Sequence, residues 1–191
     1  MKILYIHGLS SSGSSGTANR LRRFLPNDVI LSPDLPIDPH DALTMLNELV
    51  ECEQIDLVIG TSMGGMFAQK LRGYKKILVN PSFHVSRSMR NKLGVNEFFS
   101  PRADGITHYG ITEELCDKYE ELELTQFEDI SDEERELTLG LFGTMDDIVN
   151  CSEEYKLHYS RYSSFNGGHR LSENDIKNTL LSEIEKCRKG L

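Results

Sequence analysis

Residues 57–67 read LVIGTSMGGMF. Leu57, Val58 and Ile59 make a short unbroken apolar run, as a strand buried on both faces requires. Gly60, Thr61, Ser62, Met63 and Gly64 follow as G-x-S-x-G. Met63, Met66, Phe67 and Leu71 then recur at helical spacing, with Gly73 as the stop. A strand, a glycine-flanked turn and a helix form the context in which this pattern raises a serine hydroxyl above a sheet edge. Side chains at Gly60 and Gly64 would collide across so sharp a turn, and the serine between them sits in strained backbone.

The alternation of apolar runs and helical patterns continues on both sides. Ile3 to Ile6, Val29 to Leu31, Ile77 to Val79, Leu137 to Phe142 and Arg161 to Phe165 complete a set of six strand candidates. Between the first two, Leu21, Phe24 and Leu25 mark a helix over 17–25. Asp38 is placed to cap the next one, with Pro39 at its first position and Ala42, Leu43, Met45, Leu46 and Leu49 on its apolar face. Ser172 is placed to cap a last helix over 173–189, where Ile176, Leu180, Ile184 and Cys187 share a face. The expected fold is α/β: a three-layer sandwich around a mostly parallel six-stranded sheet.

A chain of 191 residues fits one domain, here 1–191. The balance of 21 Lys and Arg against 30 Asp and Glu gives a net charge of −9. That excess argues against nucleic acid or an anionic membrane as the main partner. No stretch approaches the roughly 18 apolar residues of a membrane span, and the run at Ile3 to Ile6 is shorter than a signal-peptide core, so a cytoplasmic protein is expected. Cys52, Cys116, Cys151 and Cys187 form no C-x-x-C pair. Free thiols are therefore expected, with no metal and no disulfide framework.

One stretch interrupts the pattern. Residues 81–135 hold no strand-like run, and 112–136 carry twelve acids against Lys118 and Arg135. The acidity of the chain belongs to this segment, which reads as a solvated helical face and as a lid inserted over the carboxyl ends of the strands. Phe83, Val85, Met89, Leu93, Phe98 and Phe99 within it either line an acyl pocket or bury the segment against the sheet. The acidic run also disfavours highly anionic substrates.

A serine hydroxyl needs a base to become a nucleophile. His169, in the loop Asn166-Gly167-Gly168-His169 after the last strand, stands over the same sheet edge as Ser62. His40, His84, His108 and His158 read as surface or packing residues. The acid that would orient His169 is Asp146 or Asp147, the two carboxylates at the end of the fifth strand, and the order Ser, Asp, His is that of an α/β-hydrolase triad. The Met63 amide at the start of the helix after Ser62 can hold a developing oxyanion. The Leu9 amide, in the loop after the first strand, is assigned as the second donor, with His7 shaping that loop.

Tyr5-Ile6-His7-Gly8 with its Ser-rich loop, Gly60 to Gly65, Asn80-Pro81, Gly143 to Val149 and Gly167 to Arg170 together resemble the small YqiA-like esterases of the α/β-hydrolase superfamily. The resemblance implies a trimmed hydrolase fold with spatial strand order 2-1-3-4-5-6. It also implies hydrolysis of small acyl esters through an acyl-enzyme, with no cofactor. An acid three residues after a glycine and just before an apolar pair selects Asp146, with Ile148 and Val149 as the pair. Esters and thioesters share this machinery.

Two rival readings remain at this stage. Ser10 to Ser15, hydroxyl-rich and containing Gly13, resembles the phosphate loop of a flavodoxin-like FMN-binding protein. A P-loop is disfavoured, because Ser14 stands where the lysine is required. A non-catalytic binding module on a hydrolase fold is the other.

Overall fold

The computed structural model describes residues 1–190. Six parallel strands form the main sheet: β1 (Lys2–Ile6), β2 (Val29–Leu31), β3 (Leu57–Thr61), β4 (Lys76–Val79), β7 (Thr138–Gly143) and β8 (Tyr162–Phe165). Their spatial order is β2-β1-β3-β4-β7-β8, all neighbours parallel. Counted within this sheet alone, that is the expected 2-1-3-4-5-6 order.

The central strands are largely apolar because both faces are covered. Leu4, Ile6, Val58 and Leu78 point into one core. Ile3, Tyr5, Leu57, Ile59, Ile77 and Val79 alternate into the other. The first core is closed by α2 (Pro39–Cys52), α3 (Met63–Lys70), α4 (Val85–Arg90), α5 (Glu113–Leu124) and α7 (Ser152–His158). The second is closed by α1 (Gly16–Phe24) and the C-terminal helix. Burial of each such aliphatic side chain contributes roughly 1.5–3 kcal/mol before the entropy of ordering is subtracted.

Local signals act where the sequence places them. Asp38 accepts from the His40 and Asp41 amides at the head of α2, with Pro39 at its first position. Ser172 and Asp175 form a reciprocal capping box. The last helix, expected to be uniform, contains a π-helical stretch at Ile176–Leu180 between α8 (Glu173–Asp175) and α9 (Leu181–Arg188).

The segment between β4 and β7 corrects one expectation. Besides α4, α5 and α6 (Asp132–Leu137), it contains an antiparallel hairpin of β5 (Gly94–Glu97) and β6 (His108–Ile111). The hairpin escapes an apolar-run reading because Val95 is 80% exposed and only Tyr109 and Ile111 turn inward. The hairpin loop is tied to the loop after β1: the Phe99 amide donates to the Ser10 carbonyl, and the Ser12 hydroxyl donates to the Pro101 carbonyl. No helix among the described residues is long and apolar enough to cross a membrane.

Candidate active site

β3 ends at Thr61, and the chain reverses into α3 through Ser62 at φ 55°, ψ −124°. This is a conformation that side-chain-bearing residues adopt only when their surroundings impose it. The crowding is visible at the flanking glycines. A Cβ on Gly60 would lie 2.2 Å from the Gly64 carbonyl oxygen, and one on Gly64 would lie 2.1 Å from that of Ile6. The Ser62 amide is anchored to the Val79 carbonyl, and its carbonyl accepts from Ser82 and Gly65.

Ser62, Asp146 and His169, separated in turn by 84 and 23 positions, meet at the carboxyl ends of β3, β7 and β8. The Ser62 Oγ lies 3.0 Å from His169 Nε2, and His169 Nδ1 lies 2.8 Å from Asp146 Oδ2. A carboxylate can only accept, so Nδ1 carries the hydrogen and Nε2 is left to accept from the serine hydroxyl. Asp146 is itself held: its Oδ1 accepts from the Ile148 and Val149 amides, both at 2.9 Å, and its side chain is 5% exposed. Asp147 lies exposed and forms no ion pair among the described residues.

The base and acid loops are zipped to each other. Thr144 and Met145 donate through their amides to the Phe165 and Gly167 carbonyls. Asn80, at the end of β4 with φ 43°, completes the joint. Its Nδ2 donates to the Gly168 carbonyl at 3.0 Å and the His169 carbonyl at 3.1 Å, while its Oδ1 accepts from the Gly143 amide at 2.7 Å. Sequence reading gave this residue no role of its own. The available signal was an asparagine at a strand end, a residue type that tolerates positive φ.

Met63 and Leu9 line the same cleft as Ser62 and His169. Met63 opens α3, where the first amides have no intrahelical acceptor. Gly8 packs so closely on the elbow that a Cβ there would lie 3.2 Å from that of Ser62, which brings the Leu9 peptide alongside. His7 is buried beneath this loop: its Nδ1 donates to the Gly8 carbonyl at 2.9 Å and its Nε2 accepts from the Leu35 amide at 3.3 Å. Burial pushes its pKa below the ordinary value. Tyr5, whose hydroxyl lies 2.9 Å from Thr61 Oγ1 at the cleft floor, is pushed up by burial.

The remaining sequence candidates lie elsewhere. His84 pairs with Glu154, His40 and His108 are exposed, and His158 stacks on Phe127. Of the apolar residues in 81–135, Phe83 and Met89 are fully buried in the core, and only Val85 and Phe99 reach the cleft. The Ser-rich loop spends its groups internally: Ser10 Oγ lies 2.5 Å from the Tyr109 hydroxyl, Ser12 holds Pro101, and Ser15 caps α1 by accepting from Ala18. That consumption leaves little of a phosphate cradle.

A model of the uncharacterised protein family UPF0227 matches residues 2–173. The chain belongs to this family. Curated relatives include UPF0227 proteins from Shewanella strains ANA-3 and MR-7, 27% and 28% identical over 113 residues. Each match covers 53% of this chain and 63% of the relative, so the likeness spans less than two thirds of the relatives' length. Among solved structures, a methylesterase from Arabidopsis superposes with a TM-score of 0.63 at 12% identity, over 100% of both chains. A thermophilic esterase from Thermogutta terrifontis gives 0.60 at 17% identity, over 99% of this chain and 90% of that one. The fold of this UPF0227 member is that of the α/β-hydrolases, with the sheet trimmed to six parallel strands.

Proposed function

We propose that the protein is a serine hydrolase that cleaves small acyl esters. Ser62 Oγ attacks the ester carbonyl carbon while His169 Nε2 takes its proton, and Asp146 stabilises the imidazolium. The amides of Met63 and Leu9 hold the oxyanion, whose collapse breaks the C–O bond to the alcohol as His169 returns the proton to it. Water, deprotonated by His169, then splits the acyl-enzyme and regenerates Ser62. Segment 81–135 serves as the lid of this site.

The observation that carries the reading is the unbroken Ser62–His169–Asp146 relay at 3.0 and 2.8 Å, starting from a serine held in strained backbone. A structural turn serine has no need of such a chain. The test is Ser62→Ala assayed on a short p-nitrophenyl ester, together with labelling of the wild type by a fluorophosphonate. Labelling confined to Ser62 and a fall in kcat of about 10⁴-fold or more are expected. Retention of a tenth of the activity would overturn the assignment.

A further inference from the structure

The cleft in front of Ser62, about 410 Å³, is lined by hydroxyl-bearing, apolar and cationic side chains. Val85, Phe99, Ile148 and Val149 are apolar, whereas Arg20, Lys92 and Arg170 are cationic. No carboxylate side chain lines it, although acids outnumber bases by nine in the whole chain. None of the three cations forms an ion pair among the described residues, while Arg23, three residues beyond Arg20, binds Glu173 at 2.6 Å.

Arg20 is the most constrained of the three. It is half-buried, and its side chain turns back along α1 until Nη1 lies 3.4 Å from where a Cβ on Gly16 would stand. It also reaches the carbonyl of Leu171, next to Arg170, at 3.5 Å. Arg170 in turn lies over the Phe99 ring at 4.9 Å from its centroid. A guanidinium folded onto the N-terminal end of its own helix meets the positive pole of the helix dipole, an unfavourable place that an anion relieves. A second guanidinium beside it adds to the positive field of that side of the cleft.

We infer that these cations form a subsite for an anionic group, a carboxylate or a phosphate, on the arm of the ester that runs along α1. The inference rests on the hydrolase reading above and names the class of ester it takes. It runs against the expectation that the acidic segment disfavours anionic substrates. The acids of that segment line none of the cleft, so a bound group meets the cationic lining first.

The test uses matched esters that differ only in charge. One pair places it on the acyl arm, 4-nitrophenyl hydrogen glutarate against 4-nitrophenyl methyl glutarate. The other places it on the alcohol arm, 4-(butyryloxy)benzoate against its methyl ester. Each kcat/KM is divided by the hydroxide rate of the same ester. At low salt one charged member should exceed its neutral partner by about tenfold, an advantage that shrinks as salt rises. Arg20→Gln and Arg170→Gln should each bring that ratio toward one. Competition by glutarate and by phenyl phosphate then distinguishes a carboxylate from a phosphate. Hydrolysis of the neutral esters with no preference for a charged one in either pair overturns the subsite and leaves the hydrolase reading standing. Failure to hydrolyse any of the four, with no fluorophosphonate labelling of Ser62, removes both.

Discussion

Asn80 holds His169 by its backbone: the carboxamide Nδ2 donates to the histidine carbonyl at 3.1 Å from the end of a different strand. Because its Oδ1 also takes the Gly143 amide, one buried side chain fixes the loop of the base relative to the loop of the acid. Asn80→Ala should therefore lower kcat on a short p-nitrophenyl ester by about 10–100-fold with KM little changed, since small misplacements of a reacting group cost that much. Asn80→Asp keeps the acceptor but presents a carboxylate to two carbonyls, and should be no better. A lowered melting temperature with kcat of the folded enzyme intact would leave Asn80 a purely structural residue.

The two adjacent acids at the end of β7 differ in what they touch. Asp146 bonds the imidazole and two amides, whereas Asp147 is exposed. Asp146→Asn should cost about 10⁴-fold in kcat by favouring the wrong histidine tautomer, and Asp147→Asn should cost less than about threefold. The reverse pattern in steady-state kinetics would transfer the role to Asp147.

The elbow tolerates no methyl group at Gly64, where the nearest obstacles are the Ile6 and His7 backbones at 2.1 to 2.7 Å. Backbone cannot yield as a side-chain tip can, so Gly64→Ala should destabilise by about 3 kcal/mol or more. At Gly8 the obstacle is the Ser62 Cβ at 3.2 Å, and Gly8→Ala should fold but lose activity. Urea unfolding of the two variants, run beside the ester assay, separates these effects.

Lys76 is a cation in the core, its side chain fully buried against Glu134, which also accepts from the Gly73 amide and lies 3.9 Å from Arg72. Burial lowers the Lys76 pKa, and the Glu134 carboxylate opposes that shift. Glu134→Gln leaves the ammonium without its counter-charge and should cost about 3–5 kcal/mol, read as a drop in melting temperature. Replacing both, as Lys76→Met with Glu134→Leu, should recover most of the loss. A single variant that melts with the wild type would show the pair to be idle.

His7 ties folding to pH. Its Nε2 accepts the Leu35 amide, so protonation there sets two donors against each other. Its folded pKa lies below the ordinary 6.5, so the unfolded chain binds the proton more readily. Stability is therefore complete above about pH 6.5 and falls as pH drops below that value toward the folded pKa. His158, also lowered chiefly by burial, contributes in the same direction. Melting curves between pH 7.5 and 5 should show the decline, and His7→Gln should reduce its slope. An unchanged slope would assign the acid sensitivity to other groups.

Some of this was written in the chain. Unbroken apolar runs at Ile3 to Ile6 and Leu57 to Ile59 can be satisfied only by a sheet covered on both sides, and a glycine-flanked serine between strand and helix demands the elbow. Caps at Asp38 and Ser172 are local and were equally legible. The β5–β6 hairpin was not, because a ribbon with one exposed face and two inward residues carries too little hydrophobic signal. Nor was the bracing by Asn80, whose partners lie 63 to 89 positions away.

The sequence by itself determined the period of burial, the places where the backbone must turn sharply, and the set of groups able to do acid, base and nucleophile chemistry. Tertiary structure alone decided how closely Asp146 approaches the imidazole and which cations remain without carboxylates beside the cleft. Such choices depend on distances of a few ångströms between segments remote in the chain. Periodicity fixes which face a residue takes, and only packing fixes what stands opposite it.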